Sequence, residues 1–419
     1  MKAVKALLLG AGNRGRFAYG NFAKMNPNML EITAVAEPDP VKLKNIQEEH
    51  NIPAEYLYNS WEEAIKKLPP VEAVIIATQD NMHFAPIQEA LKNNLHILCE
   101  KPIVPTLEEC LAVEKSAAVY DKIFMIAHVL KYTPFFSRIK ELLDAGRIGS
   151  LIGIDLIENV GHIHLSHSFV RGNWRRTPES PPMLLAKSCH DMDILFYLAN
   201  APCESLSSYG ALNYFKAENA PSGSPERCLD GCPHADDCPY NAAKIYLGTN
   251  TGWPVNVITT DLSLEGRIKA LEKGPYGRCV FRCDNNVVDH QTVSIRFANN
   301  VTANFTMSGF TMETHRGITL FGTKGELTGD MENNEIIVKD FSSRNIETIA
   351  VAKSTSGHAG GDAGFIGDFV NMIRGTGGFG RNLIKKSFES HYMAFAAEES
   401  RLNGGRTIRP IVSSQGGAV

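Results

Sequence analysis

The chain has 419 residues, of which 43% are hydrophobic and 21% charged, and its formal net charge is -4. This composition is typical of folded globular proteins and argues against a disordered, collagen-like or coiled-coil chain, while the length favours two domains. The small negative charge and the lack of a Lys- or Arg-rich block argue against a nucleic acid or an anionic membrane as a partner.

The first residues contain an apolar run that ends at Leu9, before a glycine-rich turn. It is too short for a secretory signal, and no stretch reaches the roughly 18 apolar residues of a spanning helix. Nine cysteines, an odd number in a chain without a signal, argue against a disulfide scaffold. We therefore expect a cytoplasmic protein with no membrane partner.

From residue 2 to about 128, short apolar runs alternate with helical stretches, which is the pattern of βαβ units. Runs that are apolar on both faces predict a parallel sheet covered by helices on both sides. The predicted strands are residues 4–9, 32–36, 74–77, 97–99 and 123–127.

A dinucleotide fingerprint follows the first predicted strand and opens a helix, in the order Gly10, Ala11, Gly12, Asn13, Arg14 and Gly15. Gly10 permits a tight turn, Gly12 lets the backbone approach a pyrophosphate, and Gly15 lets the helix pack closely on the strand. Glu37 ends the second strand, where a carboxylate accepts the ribose 2′-hydroxyl and repels a 2′-phosphate. The fingerprint therefore predicts NAD, with NADP disfavoured.

The pattern changes after Tyr132, so we predict a nucleotide-binding domain over residues 1–130 and a second domain over residues 131–419. Segments that alternate apolar and polar residues between 291 and 339 predict an antiparallel sheet with one exposed face. Helices over about 364–374 and 387–402 are predicted to close the chain. These features predict an α/β fold in which a doubly wound parallel sheet is followed by an α+β domain.

Four motifs together resemble the Gfo/Idh/MocA oxidoreductase family: the glycine loop, residues 77–83, Glu100-Lys101-Pro102, and residues 190–193. The resemblance spans essentially the whole chain. It implies an N-terminal Rossmann domain, a C-terminal domain with a large, open, mostly antiparallel sheet, NAD as cofactor, and a homo-oligomer such as a dimer or tetramer. It also implies that Thr78, Asn81 and His83 line the adenosine and ribose side, while Glu100 and Lys101 lie by the nicotinamide.

Lys101 and His190 are the expected proton-handling residues. Lys101 ends a strand beside the cofactor crevice, where its ammonium can stabilise a developing alkoxide. His190 suits a general base, and Asp193 would share its face if a helix begins near Ser188. Many sugar dehydrogenases of the family carry Asp four residues before this histidine, whereas this chain has Ala186.

The missing aspartate leaves two interpretations of the neighbouring Lys187 open. Either Lys187 supplies a catalytic cation that binds a substrate oxygen or acid group, or the chemistry differs from simple alcohol oxidation.

A segment rich in histidine, arginine and tryptophan is the predicted substrate-binding stretch. Such side chains suit sugar rings and carboxylates, although a polar surface loop with a packed Trp is the alternative. We expect His162 and His164 to share one face of an extended strand. His358 is a weaker candidate, and His391 could equally face the core. The predicted substrate contacts are His128, His164, His167, Arg171, Trp174, Arg175, Lys187 and His190.

A cysteine-rich stretch contains Cys228, Cys232 and Cys238, and Cys279 and Cys283 follow later. Four of these thiols could hold a structural zinc ion. No CxxC pair occurs, however, so reduced structural cysteines are the preferred interpretation and no metal is expected at the catalytic site.

Three functions remain open from the sequence. The first is an NAD-dependent dehydrogenase that oxidises a sugar or polyol hydroxyl, with a small carbohydrate as its partner. The alternative is an NAD-dependent glycoside hydrolase that oxidises, eliminates and re-reduces its sugar. The third is a non-catalytic dinucleotide-binding protein, against which Lys101 and His190 argue.

Overall fold

The computed structural model describes residues 2–354, 357–380 and 383–413. Its first sheet has six parallel strands in the order β3-β2-β1-β4-β5-β6, the order of a doubly wound dinucleotide-binding sheet. The predicted Rossmann fold is thereby confirmed, with one short strand, β3, that the sequence pattern did not indicate. The strands are β1 Val4–Leu9, β2 Leu30–Ala36, β3 Leu57–Tyr58, β4 Ala73–Ile76, β5 His96–Cys99 and β6 Phe124–Ile126.

Helices connect these strands, and their starts follow the local sequence. Asp39, Ser60 and Thr106 each accept hydrogen bonds from main-chain N–H groups of the first helical turn, which satisfies donors that would otherwise lack partners. A π-helical turn over Gly15–Gly20 leads into the first helix. The helices are α1 Asn21–Met25, α2 Pro40–His50, α3 Trp61–Lys66, α4 Phe84–Lys92 and α5 Leu107–Ala117.

The second sheet has eight strands in the order β14-β13-β12-β11-β7-β10-β9-β8, and only the β7–β10 pair is parallel. Burial alternates along β9 and β10, as predicted for a sheet with one face on the core and one face exposed. The strands are β7 Leu151–Asn159, β8 Cys203–Ala211, β9 His290–Phe297, β10 Thr302–Ser308, β11 His315–Gly322, β12 Gly325–Asp330, β13 Glu335–Asp340 and β14 Ile346–Ala350.

The helices of the second half join the two sheets. They are α6 Pro134–Asp144, α7 His162–Leu165, α8 Met183–Ala199, α9 Ala242–Tyr246, α10 Val255–Ile258, α11 Leu264–Lys273, α12 Gly361–Ile373 and α13 Ile384–Leu402. Almost all of α8 is buried beside the second sheet. Phe365 and Phe369 of α12 join the core on one face of the first sheet, whereas Phe388 and Tyr392 of α13 join the core on the other face.

The chain between β8 and β9 forms a largely irregular insertion, residues 212–289, that contains α9, α10 and α11. A separate small core within it consists of Ala242, Tyr246, Val255, Leu271 and Tyr276. No helix in the part of the chain that the structure describes is long and apolar enough to cross a membrane.

Candidate active site

The glycine loop has the shape that a bound pyrophosphate requires. Gly10 has a φ of +91°, and a Cβ on Gly15 would lie 2.0 Å from the main-chain oxygen of Gly10, so neither position tolerates a side chain. Around Gly12, in contrast, no atom lies within 4 Å of where a Cβ would be. Asn13 beside it is exposed. The residues present therefore fit a dinucleotide that approaches the loop at Gly12.

Glu37 connects the end of β2 to this loop. Its carboxylate accepts the main-chain N–H of Ala11 at 2.7 Å and that of Asp39 at 3.0 Å. Each carboxylate oxygen keeps a further lone pair, so these bonds leave capacity for a ribose hydroxyl.

The three residues predicted on the adenosine and ribose side differ in accessibility. Asn81 is exposed and Thr78 is half-buried, whereas His83 is fully buried. The ring nitrogens of His83 lie 2.8 Å from the carbonyl oxygen of Pro102 and 3.2 Å from that of Thr78. The predicted cofactor contact is wrong for the His83 side chain, which joins two loops because both its nitrogens face main-chain oxygens.

Arg14 and Glu100, both predicted cofactor contacts, belong to one ion-pair cluster. The guanidinium of Arg14 lies 2.7 Å from Glu100 and 2.8 Å from each oxygen of Asp362, and the Tyr19 hydroxyl donates to Glu100 at 2.6 Å. Burial alone would raise the pKa of Asp362, but hydrogen bonds from His358 and Arg14 outweigh it and hold that pKa well below its usual range. The glycine loop is thus joined to the end of β5 and to the start of α12.

Lys101 meets the first turns of α8, where the second domain contributes His190. The Lys101 ammonium donates to the carbonyl oxygen of Ala186 at 2.6 Å, and Ala186 lies one helical turn before His190. His190 is only 5% exposed. Burial, and after it the positive charge of Lys101, lower its pKa well below the ordinary value. An ammonium and a neutral imidazole are therefore neighbours at the carboxyl edge of the first sheet.

His190 lies in a row of four imidazoles. Its ring centre is 5.9 Å from that of His128 and 5.9 Å from that of His358, and His128 is 5.3 Å from His391. His128 is fully buried behind His190, so the predicted direct substrate contact is wrong for it. His391 accepts the main-chain N–H of Ile103 at 2.8 Å, and burial lowers its pKa to about 3, which confirms a core-facing position.

Asp193 lies three residues after His190 on α8, but its carboxylate pairs with other residues. Helix α8 begins at Met183 instead of near Ser188, and the Asp193 carboxylate lies 3.0 Å from the Lys131 ammonium and 3.3 Å from His128 Nδ1. The carboxylate therefore neutralises a buried cation beneath the site.

Lys187 belongs to a buried network of alternating charge. Its ammonium lies 3.0 Å from Glu158, which lies 2.7 Å from Arg316, and Arg316 lies 2.9 Å from Asp191. Burial lowers the pKa of Lys187, and the charge of Glu158 acts against that shift. The Lys187 side chain is 15% exposed, so its ammonium could still reach a substrate although it is paired with Glu158. Its catalytic and substrate-binding roles stay predictions.

The predicted substrate stretch folds as a helix and not as a strand. His162 and His164 lie in α7, where positions two apart point in different directions, so the expected shared face is wrong. His164 is half-buried, and burial followed by the charge of Lys187 lowers its pKa well below the ordinary value. Trp174 donates its indole N–H to Asp80 at 2.7 Å, which links the two domains. His164 and Trp174 therefore remain candidate substrate-binding residues at the domain boundary.

The other members of this stretch hold the insertion in place. His167 stacks on Tyr276 with ring centres 4.7 Å apart, and Arg171 donates to the carbonyl oxygens of Arg278 and Tyr240. Both side chains are buried, so their predicted substrate contacts are wrong. Arg175 pairs with Asp284 at 2.8 Å on the surface of the same region, and its substrate role stays a prediction.

Several residues of the site escaped the sequence interpretation. Tyr19 belongs to no recognisable sequence motif. Glu158 and Arg316 lie on strands, where a charged residue between apolar ones is normally an exposed position of the sheet. Asp80 lies within the motif over residues 77–83, and Asp362 lies in the glycine-rich stretch that contains His358. Those two acids could have been found from their motifs.

Comparisons with known proteins agree with this geometry. Residues 4–128 match the GFO_IDH_MocA family model, described as an oxidoreductase family with an NAD-binding Rossmann fold, and residues 140–383 match the model of its C-terminal alpha/beta domain. YteT of Bacillus subtilis (strain 168), named as an oxidoreductase, is 25% identical over 356 residues, which cover 79% of this chain and 80% of YteT.

Two further similarities involve named substrates. The scyllo-inositol 2-dehydrogenase (NAD(+)) of the same organism is 25% identical over 221 residues, which cover 50% of this chain and 58% of that enzyme. A solved structure of levoglucosan dehydrogenase with NADH and levoglucosan superposes with a TM-score of 0.72 at 17% identity, covering 98% of this chain and 100% of that one. The structural likeness shows that the whole chain shares that fold.

Proposed function

This chain belongs to the Gfo/Idh/MocA family of NAD-binding oxidoreductases, and we propose that it is a dehydrogenase that transfers a hydride between a hydroxyl-bearing carbon of a sugar or polyol and NAD. One observation carries the proposal: Lys101 from the first domain and His190 from the second meet at the carboxyl edge of the Rossmann sheet. A similarity to an inositol dehydrogenase supports the substrate class.

NAD, when bound, supplies the acceptor for the hydride. The chain's own part is to hold the dinucleotide and to manage the substrate proton. The open space at Gly12 would admit the pyrophosphate, and Glu37 would accept a ribose hydroxyl while repelling a 2′-phosphate, so NAD is preferred over NADP. Thr78 and Asn81 are accessible for the adenosine side.

The proton of the substrate hydroxyl passes to His190. Its imidazole is neutral at pH 7 because burial and the nearby ammonium of Lys101 lower its pKa, so it can accept a proton, although the lowered pKa makes it a weaker base than a free histidine. Nδ1 is buried and has no partner among the residues that the structure describes, which leaves Nε2 for the substrate. Lys101 donates a hydrogen bond to the same oxygen and stabilises its developing negative charge.

Two side chains at the domain boundary complete the proposed substrate pocket. Trp174, fixed through Asp80, offers an apolar surface for a sugar ring, and His164 offers a hydrogen-bonding group beside Lys187. We expect a substrate that contacts both domains at once.

We also propose that the chain forms a homo-oligomer in a reducing, cytoplasmic compartment. Ile157, Tyr209 and Phe321 are exposed apolar side chains on the otherwise largely polar open face of the second sheet, and a second copy could cover them. None of the nine cysteines forms a disulfide in the described structure, as expected in a reducing compartment. Light scattering of purified protein measures the oligomeric state, and a monomer at micromolar concentration would contradict this part.

A second candidate is supported by Ala186. Where many relatives have a carboxylate, this chain presents only a main-chain carbonyl, which is bonded to Lys101. A site without that acid could oxidise its sugar transiently, eliminate a leaving group and re-reduce the product, with no net change in the cofactor.

The deciding experiment supplies the purified protein with NAD and a panel of polyols, free sugars, uronic acids and aryl glycosides. Net NADH formation supports the dehydrogenase, whereas release of the aryl group without net NADH supports the redox-cycled elimination. His190→Asn serves as the inactive control, since an amide cannot take the proton. If the protein binds NAD yet converts no compound of either kind, both enzymatic proposals fail and a binding function gains support.

A further inference from the structure

Four cysteines of the insertion line one cavity, although they come from separate parts of the sequence. Cys228, Cys232 and Cys238 follow one another in an irregular segment, and Cys279 approaches from beyond α11. We propose that their four thiolates bind an iron–sulfur cluster of the [4Fe–4S] type, a site separate from the proposed active site.

The spacing of the sulfur atoms favours a cluster over a single metal ion. One zinc ion at about 2.3 Å from each thiolate would bring four sulfurs to within about 4 Å of one another. Among the described residues, only His315, Asp330 and Glu332 form a set of three or more ligand atoms that all lie within 4.8 Å. No three cysteine sulfurs are that close, whereas a cubane cluster binds each thiolate at a different iron and so accepts wider spacing.

A buried cation beside the cysteines lacks an acceptor that a cluster would supply. Arg171 is fully buried in the cavity wall, and its Nη2 lies 3.6 Å from Cys228 Sγ. Its Nη1 is buried with no partner among the residues described by the structure. An unsatisfied buried guanidinium N–H is costly, and a thiolate or sulfide in the cavity would satisfy it.

The cavity wall contains cations and main-chain donors but no carboxylate. Arg171 and Arg227 are its charged residues other than the cysteines. The main-chain N–H groups of Tyr240 and Phe281 donate hydrogen bonds to the sulfurs of Cys238 and Cys279. Such N–H donors are the kind that stabilise metal-bound thiolates.

Cys283 provides an internal control. It lies four residues after Cys279, but its thiol donates to the Cys279 carbonyl oxygen at 3.3 Å, and it does not line the cavity. The cluster should therefore be independent of Cys283.

A cluster would also add to the stability of the insertion, of which only part, including Phe215, Tyr240 and Phe281, packs into the large core beside the second sheet. The separate core of the insertion has only five buried apolar residues, including Tyr246 and Leu271. Small domains with few buried residues commonly depend on metal sites or disulfides. The four ligands would join the segment around Cys228 to the chain that returns at Cys279.

The test is metal and sulfide analysis of the full chain purified without oxygen. We expect about four iron atoms and about four acid-labile sulfides per chain, with a broad visible absorption that weakens on reduction. If the protein is purified in air, reconstitution with ferrous iron and sulfide should restore these values. One zinc per chain without iron, or a folded chain that takes up neither iron nor sulfide, would overturn the proposal.

Two single variants locate the ligands. Cys238→Ser should lose most of the iron and sulfide, whereas Cys283→Ser should keep the wild-type content. Loss of the cluster in Cys283→Ser, or full retention in a folded Cys238→Ser chain, would refute the assignment. Because Cys238→Ser could fail to fold, the wild-type analysis stands as the independent measurement. Retention of iron by Lys101→Ala, which alters only the proposed active site, separates this inference from the proposed dehydrogenase.

Discussion

Replacement of Lys101 by alanine tests the proposed proton chemistry most directly. The variant removes the ammonium that contacts the Ala186 carbonyl and lies beside His190. Loss of one group that handles a proton or stabilises an alkoxide lowers turnover by about 100-fold or more. That loss corresponds to at least about 2.7 kcal/mol in the activation barrier, at about 1.4 kcal/mol per tenfold.

The same variant should remain folded. The Ala186 carbonyl lies within α8 and keeps its helical hydrogen bond from His190, so loss of the Lys101 contact should cost about 1 kcal/mol of stability. This is small against the 5–15 kcal/mol that typically separates folded from unfolded proteins. NAD affinity should change little, since the glycine loop and Glu37 are untouched.

The assay is initial-rate NADH formation with the best substrate of the panel, accompanied by NAD titration and thermal unfolding. Lys66→Ala, which removes an exposed lysine of α3, is the matched control and should match the wild type in all three measurements. If Lys101→Ala keeps wild-type turnover, Lys101 has no part in the chemistry. If the variant loses NAD binding to the same degree as turnover, Lys101 acts by holding the cofactor and not by handling the substrate proton.

Three other predictions concern specificity, pH and buried charge. Glu37→Ala should reduce the preference for NAD over NADP in comparative binding titrations, and a wild-type protein that already prefers NADP would contradict the reasoning. Burial, followed by the charge of Arg171, lowers the pKa of His167 to about 4 in the folded protein. Because the pKa of a free histidine is near 6.5, the unfolded chain binds more protons than the folded protein between about pH 4 and about pH 6.5. The stability contributed by this neutral histidine is complete above about pH 6.5 and falls by about 1.4 kcal/mol per pH unit as the pH drops towards 4. His167→Phe should flatten that slope in denaturant titrations across this range, and an unchanged slope would rule out His167 as its source. Arg316→Leu should cost about 3–5 kcal/mol of unfolding free energy because it removes the Arg316 partner of the buried Asp191 and leaves Glu158 with Lys187 alone. Arg296→Leu, at an exposed ion pair, should cost under about 1 kcal/mol, and equal costs for the two variants would refute the distinction.

The Rossmann domain could be predicted from the sequence because its signals are local. Strand, glycine loop, helix and Glu37 follow one another within a short stretch, and each residue type reflects a constraint of its own turn or strand end. The alternation along β9 and β10 is equally local and was sufficient to predict the second sheet. In the first sheet only the short strand β3 was missing from the pattern, whereas β8 and β14 of the second sheet lie outside the alternating segment over residues 291–339.

The site could be predicted only in part, because partners distant in sequence decide it. Lys101 and His190 follow from motifs, but nothing near Lys187 indicates that Glu158 on β7 pairs with its ammonium. Arg171 is a residue type that often binds ligands, yet its orientation depends on carbonyl oxygens about seventy and a hundred residues away in the sequence. The prediction of a strand at His164 was wrong for another reason, because the composition of such a short run does not distinguish a helix from a strand.

The packing of the last two helices on the first sheet has a consequence for biosynthesis. When the nascent chain has emerged from the ribosome up to residue 128, it contains all six strands of that sheet. It still lacks α12 and α13, which cover part of the two apolar faces of the sheet. Exposed apolar surface of this kind makes incomplete chains prone to aggregation. We therefore expect the emerging first domain to depend on chaperones until translation is nearly complete, and a truncated chain that ends before α12 to be poorly soluble although its nucleotide fingerprint is intact.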